Sequence, residues 1–213
     1  MYRRSPLLFT SLLILLILIL ALPTAFSQMF SPYDEGALGL AFALRKLPHT
    51  GSFLHTAAHP DDEDSPLLVT LGRGRGLRTG LLTLTRGSGG QNEIGPELFD
   101  ALGVLRTGEL MSMHRYDGAE QFFTRAHDFG YSFSVEETLD KWGPKKILED
   151  IVRVIRTFRP DVIVMLPLKG TGGGQHHQAS AHLTAEAFKA ASDPNQFPEQ
   201  IAEGLQTWQA KKL

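Results

Sequence analysis

The chain has 213 residues, 42% of them hydrophobic and 21% charged, with a formal net charge of −2 and no cysteine. That length suits one domain with a sizeable core, and the near-neutral charge gives no sign of a surface for nucleic acid or anionic membranes. Without cysteine there are no disulfides, and any metal site must draw on carboxylates and the eight histidines.

The N-terminus carries Arg3 and Arg4 and then an almost wholly apolar run, Leu7–Leu22, broken by Pro23. Ala25 and Ser27 fit an A-x-S cleavage site before Gln28, so residues 1–27 are expected to be a secretory signal peptide. Export to the periplasm or the extracellular space follows. The alternative is an uncleaved anchor, because the run is intermediate between a long signal core and a short membrane span. No Cys follows the site, which argues against a lipoprotein anchor. One domain is expected over residues 28–213.

The stretch "SPYDEGALGLAFALRKL" places Leu38, Ala41, Phe42 and Leu47 at helical spacing. "SFLHTAA" is an apolar run of strand length and leads into "HPDDED". A helix is expected from Ser65 to Leu71, closed by Gly72, then a strand over Gly80 to Thr85 and the glycine-rich turn "RGSGG". "GPELFDALGVLRTGELMSMHRY" reads as a helix with Pro96 in its first turn, where a missing N–H is harmless. "EETLDKWGPKKILEDIVRVIRTFRP" holds a long amphipathic helix, with Ile147, Ile151, Val154, Ile155 and Phe158 at 3/4 spacing, stopped by Pro160. "DVIVMLP" is a buried strand, "LKGTGGGQ" a loop and "HHQASAHLTAEAFKAA" a helix. This alternation implies an α/β fold with a mainly parallel sheet, whose ligands bind beyond the carboxyl ends of the strands. "HPDDED" and "GGGQHHQ" both leave such ends, so the two clusters are expected to meet.

The chemistry of the clusters is that of a metal. A catalytic zinc takes three protein ligands and keeps an open position. His59 and Asp62, three residues apart on a turn stiffened by Pro60, can face one ion, and a His from "QHHQ" would complete the set. Asp61 between them would point beside the metal, placed to take a proton from the attacking water. The plainer reading of "HPDDED" is an acidic loop capping the helix at Ser65, and of "HHQ" a pair of surface histidines. "TRGSGGQN" lacks the Lys-Ser/Thr of a phosphate-binding loop, and no G-x-S-x-G is present.

"AAHPDDE" after a strand, "LLTLTRGSGGQN", "ELFDALGVLRTGEL", "FRPDVIV" and "HHQASAHLTAEAF" together resemble the PIG-L/LmbE family of zinc-dependent N-deacetylases, from about Ser52 to Ala191. The resemblance implies a Rossmann-like three-layer sandwich that removes acetyl from an N-acetylglucosamine-type sugar or glycoconjugate. It implies His59, Asp62 and His177 as metal ligands, Asp61 as general base, and Arg106 as a residue that contacts substrate or orders the site. The implied cofactor is Zn2+, though Fe2+, Mn2+ or Co2+ fit the same donors. The expected partner is a small-molecule or glycoconjugate acetamido sugar, with no nucleic acid and no membrane beyond the signal segment. Two departures stand out. The family commonly has a further His where this chain has Gly174, and His176 is the candidate substitute as oxyanion donor or leaving-group acid. Members also usually continue past the position of Leu213, so the domain is expected to be C-terminally incomplete. Rival readings are a metallo-amidase for another acyl amide and a sugar-binding protein with impaired turnover. A purely structural zinc site would need a fourth protein ligand.

Overall fold

The computed structural model describes residues 34–90, 92–169 and 174–213. The expected signal segment and Gly170 to Gly173 of the glycine-rich loop lie outside the described residues. Contacts divide the chain into two units, residues 1–42 and 43–213. Helix α1, Gly36–Lys46, crosses that boundary, and none of its residues is buried, so the apolar face expected there is not part of the core. No described helix is long and apolar enough to cross a membrane.

The second unit is built on four parallel strands: β1 (Ser52–Ala57), β2 (Arg78–Thr83), β3 (Glu120–Phe123) and β4 (Val162–Met165), in the order β3-β2-β1-β4. Its helices are α2 (Ser65–Val69), α3 (Asp100–Asp117), α4 (Val135–Trp142), α5 (Pro144–Phe158), α6 (Gln175–Ala190) and α7 (Pro198–Ala202). Lys212 joins the outer side of β4 through a parallel bridge to Val162.

Two apolar clusters cover the two faces of the sheet, as the pleat requires. Phe53, Ala57 and Leu81 pack with Leu68 of α2 and Leu110 of α3. Leu54 and Leu82 pack on the other face with Ile151, Ile155 and Phe158 of α5 and Leu183 and Ala187 of α6. The stripe that the spacing assigned to α5 is the buried one. Phe158 comes so close to β2 that a Cβ on Gly80 would lie 3.0 Å from its ring. The result is the expected three-layer α/β sandwich.

Four details differ from the sequence reading. β3 was not expected. α2 does not stop at Leu71: it runs into a π-helical turn, Thr70–Gly74, and Gly72 is needed there because a Cβ would meet Asp117 O at 2.8 Å. α3 starts at Asp100 rather than near Pro96, because the Asn92 side chain ties up the preceding segment: its Oδ1 accepts from Ile94 N and Gly95 N, and its Nδ2 donates to Glu97 O. The long helix is present as α5, but a separate helix, α4, precedes it and is parted from it at Gly143, with φ 71°. α5 then ends at Arg159 with φ 59°; a residue before proline is disfavoured in the helical region.

The strand order positions the site. β1 has β2 on one side and β4 on the other. The crossovers that leave β1 and β4 diverge there, and a crevice opens above the two strand ends.

Candidate metal centre and its pocket

Beyond β1 the backbone stays paired, with Thr85 N donating to Ala58 O at 2.9 Å, and then turns sharply. The turn is closed from both ends. Asp62 N donates to His59 O at 3.3 Å, and His59 N donates to the Asp62 carboxylate at 2.7 Å. This is why a spacing of three residues brings the two side chains onto one side. Asp61, at the crest, has φ 106°. Such backbone costs on the order of 1–3 kcal/mol in a non-glycine residue and persists where the surroundings impose it.

The third member comes from the first turn of α6, where His177 N donates to Gly174 O at 3.2 Å. Thr184 Oγ1 donates to Thr56 Oγ1 at 3.1 Å and ties that helix to β1. His59 Nδ1 is 3.2 Å from His177 Nε2 and 3.2 Å from Asp62 Oδ2, and His177 Nε2 is 3.0 Å from Asp62 Oδ1. Two imidazole nitrogens and a carboxylate thus form a small triangle. Ligand bonds of about 2.0–2.2 Å around a tetrahedral zinc give edges of about 3.3–3.5 Å, so the donor set fits such an ion. Burial alone would raise the Asp62 carboxyl, but hydrogen bonds to His177 and His59 hold it well below the usual carboxylate range. The Asp62 bond raises His177 in turn.

Arg106 reaches this turn from α3. Its Nη2 lies 2.7 Å from Asp61 Oδ2 and also donates to Pro60 O, and its Nη1 donates to Gly87 O at 3.3 Å. Gly87 has φ 66°, and a Cβ there would fall 2.8 Å from the guanidinium carbon, so the glycine-rich turn makes room for the arginine. Crowding by the protein raises the Asp61 carboxyl, and the Arg106 charge opposes the rise. The Asp61 side chain is 72% exposed, so water tempers the effect.

His176 is not where a substrate-facing donor must be. It is 3% exposed, with its ring against Phe129 and Trp142. Its Nδ1 lies 2.9 Å from His59 Nε2 and 3.7 Å from Asp128 Oδ1. Burial lowers it to about 4, so it is a neutral imidazole behind His59. If His59 Nδ1 faces a cation, its proton sits on Nε2 and is donated to His176, and the ring is held in that orientation. A side chain at Gly174 would meet nothing within 4 Å.

The ligand triangle opens into a pocket of about 710 Å³ lined by His59, Asp61, Asp62, Arg106, Tyr131 and His177, with Asp128 and the glycines 89, 90 and 130. Sequence reasoning brought together His59, Asp61, Asp62, Arg106 and His177. It missed Asp128 and Tyr131, which follow the unexpected β3. The signal available was "EQFF", a strand-length run, leading into the turn residues of "HDFG". The plainer reading of the acidic cluster also holds for one member, since Asp64 caps α2 by accepting from Leu67 N at 3.0 Å.

Residues 54–188 match the PIG-L family, described as GlcNAc-PI de-N-acetylase. A 1D-myo-inositol 2-acetamido-2-deoxy-alpha-D-glucopyranoside deacetylase of Kineococcus radiotolerans is 30% identical over 195 residues, 80% of this chain and 53% of the relative. A protein of the same description from Frankia alni is 32% identical over 178 residues, 73% of this chain and 59% of the relative. The chain therefore spans little more than half the length of these relatives. In solved structures the fold recurs in N,N'-diacetylchitobiose deacetylase from Pyrococcus horikoshii, with TM-score 0.60 and 16% identity over 88% of this chain and 66% of that one. It recurs also in the 4-carboxy-2-hydroxymuconate hydratase from Pseudomonas putida, with TM-score 0.58 and 20% identity over 76% and 63%. One scaffold carries a deacetylase and a hydratase, so the fold does not choose the reaction.

Proposed function

We propose, from the premise that this chain belongs to the PIG-L family, that it is a metal-dependent hydrolase removing acetyl from an N-acetylglucosamine-type sugar or glycoconjugate. The observation that carries the reading is the triangle of His59, Asp62 and His177 donors on the pocket floor, with the Asp61 carboxylate held beside it by Arg106. The names of the relatives support the substrate class.

His59, Asp62 and His177 would hold the cation, and zinc suits two imidazoles and a carboxylate. When bound, it polarises the amide carbonyl and makes water easier to deprotonate. Asp61 takes the proton of the attacking water. The water oxygen bonds to the carbonyl carbon, the C–N bond breaks, and the proton passes to the amine, leaving acetate and a free amino sugar. With His176 buried, Asp61 is the pocket group outside the ligand set best placed to carry that proton onward. Arg106 keeps the carboxylate beside the triangle, and His176 orients His59. Export, on the pattern of residues 1–27, belongs to the same proposal.

The test is acetate release from N-acetylglucosamine and its glycosides by the zinc-loaded protein, with Asp61→Asn alongside. The parent should release acetate, and Asp61→Asn should keep its metal and lose most of the rate. A zinc-loaded parent that releases no acetate from any acetamido sugar would overturn the proposal. One observation favours a second reading, sugar binding with little turnover: His176, the expected oxyanion donor or leaving-group acid, is only 3% exposed. Binding without acetate release would identify that case.

A further inference from the structure

The segment between β3 and α4 sends its side chains in two directions. Asp128 and Ser132 are buried, and Phe129 meets His176 edge-on at 4.4 Å between ring centroids. Tyr131 and Phe133 point outward, 78% and 81% exposed, and touch each other edge to face at 5.0 Å.

The segment is nevertheless firmly held. Thr138 Oγ1 donates to Ser132 Oγ at 2.8 Å, Ser132 Oγ donates to Ser134 O at 3.0 Å, and Phe133 N donates to Glu137 Oε2 at 2.7 Å. A Cβ on Gly89 would lie 2.6 Å from Asp128 O, so the glycine-rich turn packs directly against this backbone. Two aromatic rings are thus fixed in water without the burial that normally accompanies such side chains. Tyr131 also lines the pocket of the ligand triangle.

We propose that Tyr131 and Phe133 form a subsite for the pyranose ring linked to the acetamido sugar, and so make the protein prefer a glycoside over the free monosaccharide. The inference rests on the deacetylase reading of the pocket. A pyranose has an apolar C–H face that lies on an aromatic ring, with hydroxyls at its rim. The other pocket-lining residues are acids, histidines, an arginine and glycines, with no aliphatic side chain among them. That wall hydrogen-bonds hydroxyls and gives an acyl chain nothing to lie on.

The experiment uses the zinc-loaded protein, Phe133→Ala, Tyr131→Ala, the double variant and Phe133→Trp, all checked for equal melting temperature. It compares kcat/KM for acetate release from N,N'-diacetylchitobiose and from N-acetylglucosamine. The disaccharide-to-monosaccharide ratio should exceed one in the parent, fall about two- to tenfold on loss of an aromatic ring, and recover in Phe133→Trp. An unchanged ratio in both alanine variants overturns the subsite. Binding of the disaccharide is followed separately by saturation-transfer NMR. If the parent releases no acetate from either sugar, the deacetylase reading fails on its own. Binding that weakens in the double variant would then still uphold the subsite. Equal binding by both, or none by the parent, would overturn it.

Discussion

Gly87→Ala tests the link between the glycine-rich turn and the proposed base. Gly87 has φ 66°, and the added Cβ would sit 2.8 Å from the Arg106 guanidinium carbon. The backbone alone costs about 1 kcal/mol for alanine at such a φ. That lowers the melting temperature by about 2–4 °C in a chain of this size. The larger effect is on geometry. Arg106 must withdraw, releasing Pro60 O and the Asp61 carboxylate. A displacement near 1 Å of a reacting group costs on the order of 100-fold in rate. Arg106→Ala should lose a similar factor for the same reason. The decisive measurement is the double-mutant cycle in kcat/KM for acetate release. In the Arg106→Ala background, Gly87→Ala should change the rate less than about threefold, since the guanidinium it displaces is already gone. Equal factors in the two backgrounds would refute the argument, and Gly87 would then act through its own backbone.

Three further outcomes are expected. Elemental analysis should find about one metal ion per parent chain and little in His59→Ala, because a three-ligand site cannot spare one donor; equal metal in both would remove His59 from the set. Arg156→Leu should lower stability by more than about 3 kcal/mol in denaturant unfolding. The Arg156 side chain is buried and donates to the carbonyl oxygens of Ala190, Ala191, Asp193, Gln196 and Phe197 and to Gln200 Oε1; leucine would take the donor from Gln196 O and Gln200 Oε1 and leave the other four carbonyls with their backbone N–H partners alone, and a change under 1 kcal/mol would show that water replaces it. For His114, burial works downward, but hydrogen bonds to Asp117 and Gln121 and the nearby charges of Asp117 and Glu63 leave it raised overall. A group raised in the folded state stabilises fully below its unfolded value near 6.5 and loses that contribution as pH rises through the folded value. The stability gap between the parent and His114→Gln should therefore be larger at pH 5.5 than at pH 9; a gap that widens with pH would refute the assignment.

Much of the fold was legible because burial on both faces writes β1 and β2 as largely apolar runs, β4 is wholly apolar although half-buried, and α5 shows its stripe directly. What stayed hidden had local causes. β3 is four residues long and half-buried, too short for an alternation to register. The start of α3 depends on Asn92 outbidding the helix for backbone groups, which its neighbours alone do not reveal. The order β3-β2-β1-β4 is a long-range fact, although it is what brings residue 59 beside residue 177. Asp128 and Tyr131 were lost with β3, since a residue cannot be assigned to a strand end when the strand itself is unseen.

The histidine pair shows a case where the sequence held more than motif reasoning used. Adjacent residues on a helix point about 100° apart, so His176 and His177 cannot both face one ion as equals. In the structure it is His176 that turns inward. His176, Ala179, Leu183, Ala187 and Ala190 fall at spacings of three and four, and all five are buried. That stripe, apolar apart from its first member, faces the core. Ser180, Ala181 and Thr184, on the side of His177, are buried as well, so it is the structure that puts His176 inside and His177 on the pocket. The helix that delivers His177 to the triangle turns His176 inward, against Phe129 and Trp142, with its Nδ1 2.9 Å from His59 Nε2.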